Sequence, residues 1–424
     1  MLESYYQKAE ERKKLGLPPL PLTPEETSEL CQLLEDPPAG HEEELVYLIE
    51  QRISPGVDPA AMVKASWLEE IALQKRQSPL INPLRAVFLL GTMLGGYNVG
   101  PLVSFLQKES LAPEAARALA GIILVYGSYR QVVDLSSSNQ YAREVLQSWS
   151  EADWFRHRPE FPEKIVLKVF KVDGEINTDD LSPAKYAWSR PDIPLHAMSM
   201  GETRFPGGIE TIHKFREEGY KVAFVGDVVG TGSSRKSACN SLLWHIGEDI
   251  PYVPNKRRGG VVIGGLIAPI FFNTVEDSGG LPIQADVSQL RTGQVIVIET
   301  GAGVIKDENG QVLSKFEWKP VTIKDEFRAG GRLNLIIGRQ LTSRARKELG
   351  LKEAEFFTRV KNPEIKPGQG FTLAQKIIGQ ACGQEGVLPG TACEPKMTTV
   401  GSQDTTGPMT ADELKELACL EFQT

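Results

Sequence analysis

Cysteine is scarce in this 424-residue sequence, and its five copies are scattered: Cys31, Cys239, Cys382, Cys393 and Cys419. An odd number without any Cys-x-x-Cys pair does not form a disulfide framework, so we expect reduced and mostly buried thiols. An iron-sulfur cluster needs closely grouped thiolates, commonly including a short Cys-x-x-Cys step. The chain therefore does not supply a complete cluster by itself, and we predict no metal site from its own residues.

Long apolar runs are also missing. No stretch approaches the ~20 apolar residues of a membrane span, and the N-terminus lacks the apolar core of a signal peptide. With 41% hydrophobic and 24% charged residues, the composition is that of a soluble protein with two or three domains. We expect a cytoplasmic location without membrane contact. The formal net charge of -8 argues against a dominant nucleic-acid surface, because affinity for phosphate backbones comes largely from Lys and Arg.

Helical patterns dominate residues 1–157. A capping box at Thr23-Pro-Glu-Glu26 starts one helix. Further helical runs bounded by Pro or Gly lie at 42–52, 59–73, 83–94, 101–107 and 113–125. Short paired helices stacked along a chain are typical of a HEAT-like solenoid. The pattern leaves open whether this layer is a surface for protein contacts, a wall of an active-site channel or a packed domain without a partner.

Strand patterns follow and indicate an α/β domain over residues 163–360. The candidate strands are 165–172, 295–298, 304–305, 311–313 and 333–337. The candidate helices between them are 209–218, 234–247 and 342–349. A linker rich in Pro and Gly follows at 361–370. Residues 371–424 then contain a predicted helix at 372–381, a loop segment and a predicted helix at 411–420.

One segment, residues 221–237, combines a buried strand, a glycine turn and a helix start. Such a turn lets a ligand approach the backbone, and the unpaired N–H groups of a helix start favour an anion. A P-loop would need Gly directly before Lys-Ser, where Arg235 stands, and the dinucleotide fingerprint would need a third Gly after Gly-Thr-Gly. Both nucleotide motifs are therefore absent. Two interpretations remain: a Ser-capped helix without a ligand, or a carboxylate site in which Arg235 lies beside Ser233 and Ser234.

Four stretches resemble the bacterial aconitase B family. They are Gly-Ser-Ser-Arg at 232–235, Thr-Asp-Asp-Leu-Ser at 178–182, Trp-Ser-Arg-Pro-Asp-Ile-Pro-Leu-His at 188–196 and Val-Gly-Ser-Gln-Asp-Thr-Thr-Gly-Pro-Met at 400–409. The likeness runs in order along the whole chain and corresponds to the N-terminal half of that family. It implies a multidomain fold with an all-α HEAT-like domain at 1–157, an α/β swivelling domain of the β/β/α type at 163–360, the linker at 361–370, and the incomplete start of the α/β/α cluster-binding catalytic domain at 371–424.

The resemblance implies a hydro-lyase. Aconitate hydratase converts citrate to isocitrate through cis-aconitate in the tricarboxylic acid cycle, and family members also act as 2-methylisocitrate dehydratases. A 4Fe-4S cluster supplies the Lewis acid in the family, but its three ligating cysteines match none of the five present here. We therefore expect the 424-residue chain alone to be inactive, with the cluster and the C-terminal catalytic half completing the enzyme.

The resemblance also implies roles for individual residues. Ser233 resembles the catalytic base, and Asp179 resembles an acid that assists catalysis by orienting charged neighbours. The implied substrate-binding residues are Arg190, Ser233, Ser234, Arg235, Gln403, Asp404 and Thr405. Without the family, Arg190 would be interpreted as a surface arginine beside a proline turn, and Asp179 as a turn or helix cap. Closure about the linker at 361–370 would bring the two groups of residues together.

Two rival functions remain open. Apo forms in the family are linked to mRNA binding and dimerisation, so one alternative is a non-catalytic regulatory module. The first fifty residues contain twelve Asp or Glu against four Lys or Arg, which predicts weak RNA binding. The other alternative is the small subunit of a two-chain hydro-lyase such as an isopropylmalate isomerase, and the helical N-terminal domain argues against it. The basic run at 255–258 is either the edge of a substrate or domain interface or a solvated loop.

Overall fold

The computed structural model describes residues 3–125, 127–399, 415, 418 and 419. Within these residues the first part of the chain is helical, as predicted. Its helices are α1 (Glu3–Lys13), α2 (Pro24–Glu35), α3 (Glu42–Gln51), α4 (Pro59–Ala72), α5 (Pro83–Gly91), α6 (Val99–Phe105), α7 (Ala112–Gly121), α8 (Tyr129–Ser136), α9 (Gln140–Glu151) and α10 (Asp153–Arg156).

Helices α2, α3, α4 and α5 begin where the sequence predicts, whereas α6 and α7 begin two residues and one residue earlier than predicted. The helices share one apolar core. At the start of α2, the Thr23 hydroxyl accepts a hydrogen bond from the Glu26 backbone N–H at 3.2 Å, and the Glu26 carboxylate accepts one from the Thr23 N–H at 3.0 Å. The predicted capping box is therefore confirmed. In the core, the ring of Trp149 stacks on that of Tyr129 with centroids 5.9 Å apart. Burying such aromatic pairs stabilises the helical layer.

A mixed sheet with flanking helices forms the second part. Its strands are β1 (Lys164–Asn177), β2 (Val222–Thr231), β3 (Glu248–Ile250), β4 (Val253–Arg258), β5 (Val261–Ile267), β6 (Leu281–Gln284), β7 (Val295–Glu299), β8 (Val304–Asp307) and β9 (Val312–Lys315). A 3-10 helix spans Ala184–Ser189, and the α-helices are α11 (Thr178–Leu181), α12 (Ile193–Ala197), α13 (Gly208–Glu217), α14 (Arg235–Ile246), α15 (Pro269–Asp277), α16 (Ile323–Ala329), α17 (Arg332–Glu348) and α18 (Leu373–Ala381).

The main sheet has the order β6-β5-β2-β1-β7-β8-β9. Strands β1, β2, β5 and β6 are parallel, and β7, β8 and β9 extend the sheet beside β1 in antiparallel pairs. Alternate residues of the central strands point to opposite faces, so Val222 and Phe224 enter one apolar core while Ala223 and Val225 enter another. Strands β3 and β4 form a separate two-stranded sheet.

The strand prediction for residues 333–337 is wrong. These residues lie inside α17, a continuous helix of 17 residues. Its buried positions include Leu335, Gly338, Leu341 and Ala345, a spacing of three or four residues that places them on one helical face. The apolar run at 333–337 is too short to distinguish a strand from a helix by itself.

Helix α17 returns to the helical layer and packs against α9. The indole N–H of Trp154 donates a hydrogen bond to the Thr342 hydroxyl at 3.1 Å. Helix α18 confirms the helix predicted at 372–381, and Thr372 and Gln375 form a capping box at its start. Most of the helix predicted at 411–420 lies outside the described residues. Among those that are described, no helix combines the length and apolar character needed to cross a bilayer.

Candidate active site

The predicted site lies where β1 and β2 end side by side. Asn177 of β1 pairs with Thr231 of β2, and the parallel arrangement brings the two carboxyl ends to the same edge of the sheet. Gly232 follows β2 with φ +101°, and a Cβ there would lie 2.6 Å from the side-chain oxygens of both Asn177 and Thr178. Glycine at this position therefore lets the loop contact the end of β1.

Ser234 is the N-cap residue of α14, but among the described residues its side chain makes no capping hydrogen bond. Its backbone N–H donates to the Thr178 hydroxyl at 3.2 Å, and its own hydroxyl accepts a hydrogen bond from Nη2 of Arg190 at 3.0 Å. Helix α14 therefore begins where it was predicted to begin, but the Ser234 side chain does not cap it by a hydrogen bond. The Ser234 hydroxyl is used to hold a guanidinium that lies 44 residues earlier in the chain.

Arg190 is half-buried in a segment that the N-terminal helix holds in place. The guanidinium of Arg12 on α1 contacts the Asp192 carboxylate at 2.6 Å, and Asp192 accepts the backbone N–H of Leu195 at 3.4 Å. Burial lowers the pKa of Arg190, and the negative charge of Asp179 opposes that shift. A cation that is partly desolvated in this way gains by binding a carboxylate.

The other predicted residues surround this contact. Ser233 is exposed, and Arg235 is half-buried with Nη1 donating to the Gly232 carbonyl at 3.3 Å. Asp179 is exposed in the first turn of α11 and does not cap this helix. Asn177 and Asp180 form the capping box, in which the Asp180 carboxylate accepts a hydrogen bond from the Asn177 N–H at 2.8 Å. Gln403, Asp404 and Thr405 lie outside the described residues.

A buried polar cluster beneath the loop was not predicted. The imidazole of His196 contacts the hydroxyls of Ser182 at 2.7 Å and Ser189 at 2.9 Å, and the Ser182 hydroxyl contacts that of Ser237 at 2.7 Å. Ser237 also donates to the Ser234 carbonyl at 3.2 Å. Three of these residues stand within or beside the quoted motifs, but no spacing rule predicts that they meet.

The cluster joins the Arg190 segment to the first turn of α14. Burial, followed by the nearby charge of Arg190, lowers the pKa of His196 to about 4, so its imidazole is neutral near pH 7. A neutral imidazole can accept a hydrogen bond at one nitrogen and donate at the other. It therefore suits a position between two hydroxyl groups, and it adds no charge below the loop.

The described cysteines do not fit an iron-sulfur cluster. Cys31, Cys239 and Cys419 are buried, Cys382 is half-exposed and Cys393 is exposed. Burial raises the pKa of the Cys31 thiol to about 12, which disfavours the thiolate that binds metal. Across the residues that the structure describes, no group of three or more His, Cys, Asp or Glu side chains is arranged to hold a metal ion.

Comparison with known proteins gives two family matches and several relatives. The family described as "Aconitate hydratase 2 N-terminus" matches residues 167–371, and that described as "Aconitate B N-terminal domain" matches residues 4–155. Aconitate hydratase B of Synechocystis sp. is 56% identical over 424 residues, covering 100% of this chain and 49% of the relative. The Escherichia coli protein of the same name is 52% identical over 434 residues, covering 100% of this chain and 50% of the relative.

A more distant relative is the 3-isopropylmalate dehydratase small subunit 2 of Archaeoglobus fulgidus. It is 24% identical over 175 residues, which is 41% of this chain and 94% of that subunit. The helical part of the chain has its own family match at residues 4–155, so the chain as a whole is not a small subunit of this kind.

These matches place the chain in the aconitase class. It belongs to the aconitate hydratase B family, and the predicted resemblance is confirmed. The chain spans about half the length of the curated relatives it matches, and it corresponds to their N-terminal half. Neither these relatives nor the described residues support RNA binding or dimerisation.

Proposed function

We propose that this chain supplies one substrate-binding wall of an aconitate hydratase, which interconverts citrate and isocitrate through cis-aconitate. The observation that carries the proposal is the contact between Arg190 and Ser234 at the carboxyl ends of β1 and β2, at 3.0 Å. It joins two of the quoted motifs at the edge where open α/β sheets bind ligands. Membership of the aconitate hydratase B family supports the same reaction.

In this proposal Arg190, Ser234 and Arg235 bind a carboxylate of the substrate. A guanidinium can donate two parallel hydrogen bonds to a carboxylate, and the first N–H groups of α14 add further donors. Desolvating a trianion without such partners would be prohibitive. The hydroxyl of Ser234 holds Nη2 of Arg190 and so sets the orientation of the fork.

Ser233 is the proposed base that removes the carbon-bound proton of the substrate. It is exposed directly before the N-terminus of a 12-residue helix, α14. A serine hydroxyl is a very weak acid, so its alkoxide needs stabilisation by the helix dipole and the neighbouring guanidinium groups. Asp179 is proposed to assist by orienting charged neighbours such as Arg190, since its negative charge acts on that guanidinium and opposes the effect of burial on its pKa.

The Lewis acid of the reaction would be a 4Fe-4S cluster, and the described residues provide no site for it. We propose that the cluster is held by a catalytic region outside this chain, and that the 424 residues alone have no turnover. Residues 371–424 are proposed as the start of that region, with Gln403, Asp404 and Thr405 facing the substrate. The same proposal describes residues 1–157 as a HEAT-like domain and residues 163–360 as a swivelling domain. It also places a hinge at 361–370.

A chimera tests this proposal directly. The chain replaces the matching half of the Synechocystis protein, to which it is 56% identical, and the cluster is reconstituted with iron and sulfide. We expect the chimera to form isocitrate from cis-aconitate and Ser233→Ala to lower kcat by about a thousandfold or more, as removing a catalytic group commonly does. Arg190→Gln should raise KM, because it removes a carboxylate contact. Arg291→Gln, at an exposed position before β7, is the control and should change neither constant.

Three outcomes would contradict parts of the proposal. A Ser233→Ala chimera with full turnover would exclude Ser233 as the base, and unchanged kinetics in Arg190→Gln would remove the carboxylate site. Isocitrate formed by the 424-residue chain alone would exclude the proposal that turnover needs a cluster-binding region outside this chain. Turnover of 2-methyl-cis-aconitate by the same chimera would test the second predicted activity. Cytoplasmic location stays a prediction, whereas dimerisation and mRNA binding are alternatives that the resemblance raised and that no observation supports.

A further inference from the structure

Two arginines face a cavity at the junction of the helical part and the sheet, and both also line a neighbouring cavity of about 510 Å³. The first cavity has a volume of about 180 Å³, and its cationic lining residues are Arg158, Lys236, Lys256 and Arg258. Arg158 follows α10, whereas Arg258 ends β4 in the basic run noted in the sequence. Nη1 of each arginine lies within 3.2 Å of the position that a Cβ on Gly330 would occupy. The two guanidinium groups are therefore close neighbours of like charge.

No carboxylate among the described residues neutralises this pair. Arg158 donates only to backbone carbonyls, from Nε to Trp154 at 3.0 Å and from Nη1 to Arg328 at 3.3 Å. Burial lowers the pKa of Arg158 to about 10, with the charge of Arg258 as a further cause, and burial also lowers the pKa of Arg258. Two partly desolvated cations side by side are unfavourable until an anion joins them.

The one acidic side chain among the described lining residues already has a partner. Asp277 accepts two hydrogen bonds from the guanidinium of Arg332, at 2.9 and 3.1 Å. The C-terminal ends of α15 and α16 offset part of the positive charge, because helix C-termini carry partial negative charge. Lys236 also lines the cavity, with Nζ 2.9 Å from the Ser278 hydroxyl. Among the described residues, the pair of Arg158 and Arg258 therefore keeps its positive charge.

We propose that Arg158 and Arg258 bind a small, multiply charged oxyanion in this cavity. Planar guanidinium groups match the oxygens of a phosphate or a short dicarboxylate and can each donate two hydrogen bonds to it. Because the arginines come from the two parts of the chain, the anion would also hold the helical part against the sheet. None of the candidate active-site residues within the described ranges lines the cavity, so this site is separate from the one around Arg190.

Isothermal titration calorimetry of the 424-residue chain with inorganic phosphate, and separately with malonate, tests the proposal in a low-chloride buffer. We expect saturable binding of at least one anion at one site, weakened tenfold or more in Arg158→Gln and in Arg258→Gln. Arg257→Gln is the matched control, since Arg257 is the preceding residue on β4 and already contacts the Asp249 carboxylate at 2.7 Å. Arg190→Gln should leave phosphate binding unchanged. The tighter of the two anions identifies the ligand as phosphate or carboxylate.

Thermal unfolding distinguishes a binding site from a structural role. Without added anion, Arg258→Gln should unfold at the same or a higher temperature than the unsubstituted chain, because it removes like-charge repulsion. The anion should raise the unfolding temperature of the unsubstituted chain but not of the variant. A lower unfolding temperature for both Arg258→Gln and Arg258→Lys without anion would show a structural arginine and overturn the proposal. Absence of saturable binding of both anions, or equal weakening by Arg257→Gln, would overturn it as well.

Discussion

A buried carboxyl pair makes the stability of this chain depend on pH in a definite direction. Glu276 at the end of α15 and Glu326 in α16 are 2% and 4% exposed, and the charge of Glu326 acts on the carboxyl of Glu276. Burial, followed by the negative charge of Glu326, raises the pKa of Glu276 to about 8, although Arg332 lies 3.8 Å away. Burial also raises the pKa of Glu326. The folded pair therefore retains a proton near pH 7.

The sign of the effect follows from proton linkage. Between the ordinary glutamate pKa near 4.5 and about 8, the unfolded chain has lost this proton while the folded chain keeps it. Raising the pH through this window therefore favours unfolding. One proton changes the free energy of unfolding by about 1.4 kcal/mol per pH unit, so the contribution lost across the window is at most about 5 kcal/mol. Above pH 8 the loss should level off.

Urea unfolding at pH 5, 6, 7 and 8 compares the unsubstituted chain with Glu276→Gln. The variant keeps the shape and hydrogen-bonding ability of a protonated glutamate but cannot ionise. We expect similar stability at pH 5 and a growing advantage of the variant, reaching about 2 to 4 kcal/mol at pH 8. Glu308→Gln, at an exposed position, is the control and should follow the unsubstituted chain. Parallel curves for Glu276→Gln and the unsubstituted chain would refute the reasoning.

Three further predictions concern the loop and its support. Gly232→Ala should lower the free energy of unfolding by about 2 to 4 kcal/mol, because φ is +101° and the new Cβ would meet two oxygens at 2.6 Å. Gly310→Ala, with φ +82° and open space around it, should cost only about 1 kcal/mol in the same urea titration. His196→Ala should cost about 2 to 4 kcal/mol, since it removes two hydrogen bonds to buried hydroxyls and leaves a cavity in their place. NMR titration should show the His196 imidazole neutral above pH 5, and a signal titrating near pH 6.5 would contradict its burial. Arg12→Ala should raise KM of the active chimera by about tenfold with less effect on kcat, because the contact with Asp192 positions the Arg190 segment; unchanged KM would exclude that coupling.

Much of the local structure could be predicted from the sequence because its signals are local. Thr23 and Glu26 form the predicted capping box, and residues 221–237 contain the predicted order of strand, turn and helix, although β2 continues through Gly226 and Gly230 to Thr231. The strand prediction for 333–337 failed because α17 is stabilised by burial of one face, and that face is recognised only over a longer stretch. Strands β5 and β6 were not predicted, since they contain Gly-Gly and Pro, which weaken the strand pattern.

The sequence by itself determined the family, the order of a helical part before a mixed sheet, and the residue types of a carboxylate site. Those features depend on composition, short-range periodicity and motifs that are read along the chain. Only the tertiary structure decided that the Ser234 hydroxyl holds Arg190 instead of capping α14, that His196 contacts two serines beneath the loop, and that Arg158 faces Arg258. These contacts join residues far apart in sequence. Their existence depends on strand order and on how the helices pack against one another, which no local pattern encodes.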